Sequence, residues 1–164
     1  MVPPRPATAD LVKADHTAMA KPPPAPHFAP HGQTAARWDD GFLQVVVSGP
    51  FNVEGIEVLT RTMLEGYRGL PEGTPVVNVC EMRGTLVYTP DAWQALGATI
   101  RATSASGMRV LATVWIVAAD VEGAALLLPR ARALFAAAGR RFEVFGERQA
   151  AETWARRQLD DAQG

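Results

Sequence analysis

The sequence predicts an α/β fold with a mainly parallel sheet of about four or five strands and about four helices. The run from Arg109 to Ala119 is apolar and rich in β-branched residues, which is typical of a strand buried on both faces, and we expect it to be the central strand of the sheet. Strand and helix patterns alternate after residue 50, and this alternation favours parallel strands joined by right-handed helical crossovers. The turn signal Asp39-Asp40-Gly41 joins two extended runs, so a β-hairpin is expected to precede these units.

The first half of the domain alternates between strands and a capped helix. The hairpin strand 42–49 leads to Asn52, a residue type that commonly caps a helix. The following helix is expected to end at Gly69, and the β-branched run 76–80 is the next strand. The apolar side chains of that helix recur with helical spacing, at Ile56, Leu59, Met63, Leu64 and Tyr67.

The second half repeats the pattern after a predicted loop at residues 81–88. Thr89-Pro90-Asp91 is a strong helix start, and the helix is expected to bury Trp93, Leu96 and Ile100. Asp120 is the expected cap of a helix that extends to Gly139. Pro129 predicts a kink in that helix or a division into two pieces. A strand at 141–145 and a helix at 147–159 complete the domain.

A proline-rich arm is predicted at residues 1–33, and the folded domain is expected at residues 34–164. Most of the chain's 13 prolines lie in the arm, and a segment of this composition is predicted to be disordered. His27 and His31 have the i, i+4 spacing of a metal-binding pair on a helix, but neighbouring prolines break that helix. We therefore predict no metal site.

Composition limits the functional classes. The net charge of −1 gives no reason to expect a surface for nucleic acid or for an anionic membrane. Cys80 is the only cysteine, so an intrachain disulfide is excluded, which suits a reducing cytoplasm. No stretch has the length and apolar character of a membrane span, and the N-terminus lacks the apolar core of a secretion signal. We expect a cytoplasmic protein without membrane insertion.

The chain lacks a recognisable catalytic constellation. The folded part has no histidine to serve as the base of a nucleophilic triad, and its glycines do not form a phosphate loop or a dinucleotide fingerprint. Cys80 ends an apolar strand, where a buried structural thiol is the simpler interpretation. We therefore predict a protein that is not an enzyme and that has no cofactor.

The order of the segments, together with three local sequences, resembles the STAS domain, the fold of bacterial anti-sigma-factor antagonists. The local sequences are Gly-Pro-Phe-Asn, Val-Val-Asn-Val-Cys-Glu and Arg-Phe-Glu-Val-Phe-Gly-Glu-Arg-Gln-Ala-Ala-Glu-Thr-Trp-Ala. The resemblance covers about residues 36–160. It is closest to stand-alone bacterial STAS-like proteins, which are sometimes grouped with lipid-binding domains. It implies a non-enzymatic regulatory module that binds a protein partner.

The resemblance also draws attention to the start of the helix after residue 88. Phospho-switched antagonists carry an Asp-Ser-x-Gly signature there, and a partner kinase phosphorylates its serine. This chain has Val-Tyr-Thr-Pro-Asp instead, so Thr89 is the only hydroxyl that could accept a phosphate at that helix start. Asp91 would repel the phosphate, and a plain N-cap role explains Thr89 more simply.

The leading functional hypothesis places partner binding on the loop 81–91 and the following helix. Methionine, tyrosine and arginine are enriched in protein interfaces, and ligands of open α/β sheets bind at the carboxyl ends of the strands. The partner would be another protein, such as a regulatory kinase or signalling protein, or a second copy of this chain. A plain packed loop stays open as an alternative. The predicted contact residues are Met82, Arg83, Leu86, Tyr88, Thr89 and Asp91.

A second hypothesis is a carrier or sensor of a small apolar ligand, as in lipid-binding proteins. The segment 121–138 would then act as a lid. The pocket beneath the lid would be lined by Leu126, Leu127, Leu128 and Leu134.

Overall fold

The structure is a computed structural model and describes residues 28–164. In this part of the chain, the elements are β1 (Gln33–Asp39), β2 (Phe42–Ser48), α1 (Val53–Gly66), β3 (Pro75–Arg83), α2 (Pro90–Ser104), β4 (Arg109–Val117), α3 (Ala124–Ala137), β5 (Phe142–Phe145) and α4 (Arg148–Gln163). The five strands form one sheet in the order β1-β2-β3-β4-β5. β1 is antiparallel to β2, and every later neighbouring pair is parallel. The predicted α/β class, the opening hairpin and the mainly parallel sheet are confirmed.

The sheet lies between two layers of helices, because successive side chains of a strand point to opposite faces. On one face, Leu43 and Trp115 belong to the larger core cluster, which includes side chains of α1, α2 and α3. On the other face, Phe42 and Val114 pack with side chains of α4. β4 lies between β3 and β5, and its residues 112–117 are all buried. The prediction of a strand buried on both faces is therefore confirmed, but the central position expected of it is wrong, because β3 occupies the middle of the sheet.

Two predicted boundaries are wrong, namely the end of β3 and the start of α3, which both lie near the carboxyl ends of the parallel strands. β3 continues to Arg83, so Glu81 and Met82 belong to a strand and not to a loop. The reason is that β2 and β4 are both long enough to continue pairing with β3 over these residues. α3 begins after Gly123 instead of at Asp120. The backbone N–H and carbonyl of Glu122 bond to Gly84 and Leu86, in the loop after β3. The helix therefore cannot begin before Gly123.

A single helix passes through Pro129, so of the two predicted outcomes, a kink or a division into two pieces, the division does not occur and the kink stays a prediction. A proline within a helix removes the hydrogen bond to the carbonyl four residues earlier. Here that carbonyl belongs to Ala125, an exposed residue. The unpaired carbonyl therefore lies in an exposed part of the helix, where water can bond to it.

The end of the predicted arm is attached to the domain. The backbone N–H of His31 donates to Asn52 Oδ1 at 2.8 Å, and Asn52 Nδ2 donates to the carbonyl of Ala29 at 2.9 Å. β1 begins at Gln33, so residues 28–33 do not fit the predicted disorder. Residues 1–27, which make up the rest of the predicted arm, lie outside the described residues.

Candidate functional site

The loop of residues 84–89, which connects β3 to α2, is bonded through its backbone to the loop before α3. The N–H of Leu86 donates to the carbonyl of Glu122 at 2.8 Å, and the N–H of Glu122 donates to the carbonyl of Gly84 at 2.9 Å. These bonds accompany a short parallel bridge between Thr85 and Glu122. The two loops are thereby held together at the carboxyl edge of the sheet.

The same loop is bonded on its other side to Phe51, just before α1. The N–H of Phe51 donates to the carbonyl of Val87 at 2.9 Å, and the N–H of Thr89 donates to the carbonyl of Phe51 at 3.1 Å. Gly49 lies so close that a Cβ there would stand 2.2 Å from the carbonyl oxygen of Thr85. The loop backbone is therefore fixed on both sides before any partner is present.

Exposed apolar side chains lie at this fixed edge. Val87 is 50% exposed and Leu126 is 74% exposed. Gly123 lies between the two segments. A Cβ at Gly123 would be 3.8 Å from Val87 Cγ2, and the carbonyl of Gly123 accepts the N–H of Leu126. Trp93 is half-buried, and the guanidinium of Arg130 lies 5.1 Å from its ring. We call Val87, Trp93, Leu126 and Arg130 the edge patch.

The residues predicted as partner contacts do not all reach this surface. Met82 is buried and Leu86 is only 1% exposed, and both belong to the core. They face inward because β3 continues through Met82 and because Leu86 is bonded into the sheet edge. Arg83, Thr89 and Asp91 are exposed, so they remain available to a partner.

Tyr88 is part of an aromatic cluster beneath the edge patch. Its ring stacks on Phe51 with centroids 5.0 Å apart and meets Trp93 edge-on at 5.4 Å. The hydroxyl of Tyr88 is buried and has no hydrogen-bond partner among the described residues. Burial, reinforced by the nearby thiol of Cys80, raises the pKa of Tyr88 above its ordinary value. The phenol is therefore neutral, and because Tyr88 is only partly buried, as Trp93 is, its role as a partner contact stays a prediction.

Thr89 is the N-cap of α2, as its sequence context predicts. Its hydroxyl oxygen accepts the backbone N–H of Ala92 at 3.2 Å, with Pro90 at the first helical position and Asp91 in the first turn. Thr89 is also exposed. Its role as a phospho-acceptor stays a prediction.

The charge of Arg83 is engaged within the chain. Its Nε donates to one carboxylate oxygen of Glu81 at 2.8 Å, and Arg148 donates to the other oxygen. The hydrogen bond from Arg83, helped by the hydrogen bond and the charge of Arg148, lowers the pKa of Glu81 although partial burial opposes the shift. A substitution at Arg83 would disturb this network as well as any partner contact, so Arg130 is the better probe of the surface.

A largely enclosed cavity of about 30 Å³ lies between the sheet and the helices α1, α2 and α3. Its lining is mainly apolar and includes Cys80, Tyr88 and Trp115. Burial raises the pKa of the Cys80 thiol to about 12, so the sulfur is protonated and weakly nucleophilic at neutral pH. The leucines predicted to line a ligand pocket, including the exposed Leu126, do not line this cavity.

Arg140 also lines the cavity, although nothing in the sequence distinguishes it from its neighbour Arg141. Its Nη2 donates to Ser104 Oγ at 2.5 Å and, at 3.4 Å each, to Thr103 Oγ1 and the carbonyl of Ile100. Burial lowers the pKa of Arg140, and no carboxylate within residues 28–164 forms an ion pair with it. These neutral acceptors at the end of α2 therefore hold the cation in place.

Residues 28–164 contain no group of three or more His, Cys, Asp and Glu side chains that could hold a metal ion. His27, a member of the histidine pair considered above, lies outside this range. None of the helices in the same range combines the length and the apolar character needed to cross a membrane.

Comparison of the chain with protein-family models, with curated proteins and with solved structures gives no match. The resemblance to STAS domains therefore stays a prediction.

Proposed function

We propose that this chain is a non-enzymatic, STAS-like regulatory module of bacteria that binds another protein through the edge patch. The observation that supports this function best is the combination of a fixed backbone and exposed apolar side chains. Residues 84–89 are bonded on both sides, yet Val87 remains half-exposed beside the more exposed Leu126. A surface that is ordered before binding loses little conformational entropy when a partner arrives.

The side chains of the edge patch indicate the chemistry of the partner. Tryptophan and arginine are the residue types that most often dominate the energy of protein interfaces. Arg130 lies over Trp93 and forms no ion pair within residues 28–164. Leu126 and Arg130 are four residues apart on α3, so they lie on the same side of the helix. The complementary partner surface is an apolar side chain flanked by a carboxylate.

Thr89 gives this surface a means of regulation, with a kinase as the modifying partner. A phosphate on Thr89 would lie at the N-terminus of α2, where free N–H groups and the helix dipole stabilise negative charge. The phosphate would also bring negative charge close to Asp91 and to Val87, an exposed residue two positions before Thr89. A partner that presents a carboxylate to the edge patch would be repelled.

Site-specific crosslinking in the source cells tests the proposed function. A benzophenone-bearing amino acid at position 87 or 126 is expected to give the same discrete adduct with a second protein. The same group at Thr153, which is exposed on α4 across the sheet, serves as the control and is expected to give no such adduct. Arg130→Glu is expected to remove the adduct. The proposal is wrong if positions 87 and 153 give the same products.

The cavity favours a second candidate, a sensor of a small and mainly apolar molecule that carries one hydrogen-bonding group. Its lining carries the unpartnered hydroxyl of Tyr88, and a bound molecule could provide the missing hydrogen bond. A volume of about 30 Å³ suffices for about two molecules of the size of water, given about 10–15 Å³ for each. A lipid does not fit unless the helices move, so the predicted lipid carrier receives less support than a sensor of a much smaller ligand.

Tyr88→Phe distinguishes an empty cavity from an occupied one. We expect the substitution to raise the free energy of unfolding by about 1 kcal/mol, because it removes a buried hydroxyl that has no partner. Tyr67→Phe is the matched control, since the hydroxyl of Tyr67 donates to Asn78 Oδ1 at 2.7 Å. The control is expected to lower the free energy of unfolding by about 1 kcal/mol. Urea unfolding of both variants measures the two changes. A loss of stability in Tyr88→Phe would favour the sensor candidate.

A further inference from the structure

A second surface lies on the helical layer, away from the edge patch. An open groove of about 640 Å³ separates the outer sides of α1 and α2. The α2 side of the groove carries the small side chains of Ala95, Ala98 and Ala102, which leave room for a close approach. Leu64 lines the α1 side and is 37% exposed, although its helical spacing predicts burial.

The α1 side of the groove carries four charges of alternating sign. They are Glu57, Arg61, Glu65 and Arg68, and all four side chains are exposed and line the groove. Glu57, Arg61 and Glu65 are four residues apart along α1, a spacing that allows ion pairs on a helix, and Arg68 follows in the turn after the helix ends at Gly66. None of them forms an ion pair within residues 28–164. The charges of this face are therefore available to another molecule.

When two copies of this series of charges are placed antiparallel, each charge faces a charge of opposite sign. If two copies of α1 run antiparallel about a two-fold axis near residues 62 and 63, Glu57 faces Arg68 of the other copy. Arg61 then faces Glu65 of the other copy, and the symmetry repeats both pairs. A two-fold interface requires a surface that is complementary to itself, and this series meets that condition at every position.

We propose that a second copy of this chain occupies the groove and forms a two-fold dimer. α1 of each copy lies over the groove of the other, with Leu64 inserted above the alanines of α2. Apolar contact at the centre surrounded by charges at the rim is the usual composition of a protein interface. Dimerisation leaves the edge patch free, because Trp93 and Ala95 are two residues apart on α2 and point to nearly opposite sides of it. The dimer is thus independent of the proposed function.

Charge reversal with mixing tests this interface. In the full chain, Arg61→Glu places two pairs of negative charges across the axis, and Glu65→Arg places two pairs of positive charges there. Sedimentation equilibrium is expected to show a dimer for the unmodified chain and a dissociation constant raised about tenfold or more for each variant. An equimolar mixture of the two variants is expected to form a heterodimer, because each charge then faces its opposite. The double variant Arg61→Glu/Glu65→Arg is also expected to recover the dimer.

The control is Arg157→Glu, which makes the same change of charge at an exposed position on α4. It is expected to leave the dimer intact. An unmodified chain that stays monomeric at concentrations of about 100 μM would overturn the proposal, because its dissociation constant would then be too weak for a specific dimer. Variants that dissociate but fail to recover when mixed would overturn it as well, because the charges would then not face each other.

Discussion

Gly49→Ala is expected to lower the free energy of unfolding by about 3 kcal/mol, as is typical of forced overpacking. The added Cβ would stand 2.2 Å from the carbonyl oxygen of Thr85 and 2.9 Å from the ring of Phe51. A backbone oxygen cannot rotate away as a flexible side chain can, so the loop 84–89 must move. Such a movement stretches the two hydrogen bonds between Phe51 and this loop. Urea unfolding measures the loss of stability, and amide exchange at Phe51 and Thr89, whose N–H groups donate in these two bonds, reports the loosened loop.

Gly146→Ala is the matched control for Gly49→Ala. Its Cβ would meet no atom nearer than the carbonyl oxygen of Val117 at 4.0 Å, and the backbone of Gly146 is not left-handed. The substitution is expected to leave the stability unchanged or to raise it slightly, because alanine restricts the unfolded chain. Equal stability of the two variants would show that Gly49 is not tightly enclosed and that the loop 84–89 is not fixed as described.

The order of the elements could be predicted because it depends on local patterns. The caps at Asn52 and Thr89 follow from residue types that bond to the first turn of a helix, and both bonds are present. The turn at Asp39 to Gly41 and the apolar run of β4 likewise involve only neighbouring residues. Each of these predictions depends on a few adjacent positions. The structure at those positions is therefore little affected by the remainder of the fold or by a partner.

The site could be predicted only in part because it depends on contacts between distant segments. Met82 is buried because two neighbouring strands extend β3, and no local signal reveals their lengths. Val87 and Leu126 lie at the same edge of the sheet because the loops before α2 and α3 are bonded to each other. The sequence places Val87 in the right loop but gives no reason to combine it with Leu126, since one sequence does not show which side chains remain exposed.

Leu126→Asp is expected to weaken the affinity for the partner captured at position 87 by about thirtyfold or more. Leu126 is the more exposed of the two aliphatic side chains in the edge patch, and a partner would bury it. An aspartate there loses the apolar contact and brings a charge against the carboxylate expected of the partner. Losses of about 2 kcal/mol are typical at the central residues of an interface, and they correspond to about thirtyfold in affinity.

The proposed function is tested most directly by comparing two affinities. They are the affinity of this partner for the Leu126→Asp variant and its affinity for the Leu64→Asp variant. Both substitutions introduce the same charge at an exposed leucine, but Leu64 lies in the groove between α1 and α2. Isothermal titration calorimetry is expected to show the large loss for Leu126→Asp only, with unmodified affinity for Leu64→Asp. Unfolding curves for both variants confirm that each remains folded. Undiminished affinity of a folded Leu126→Asp variant would contradict binding through the edge patch.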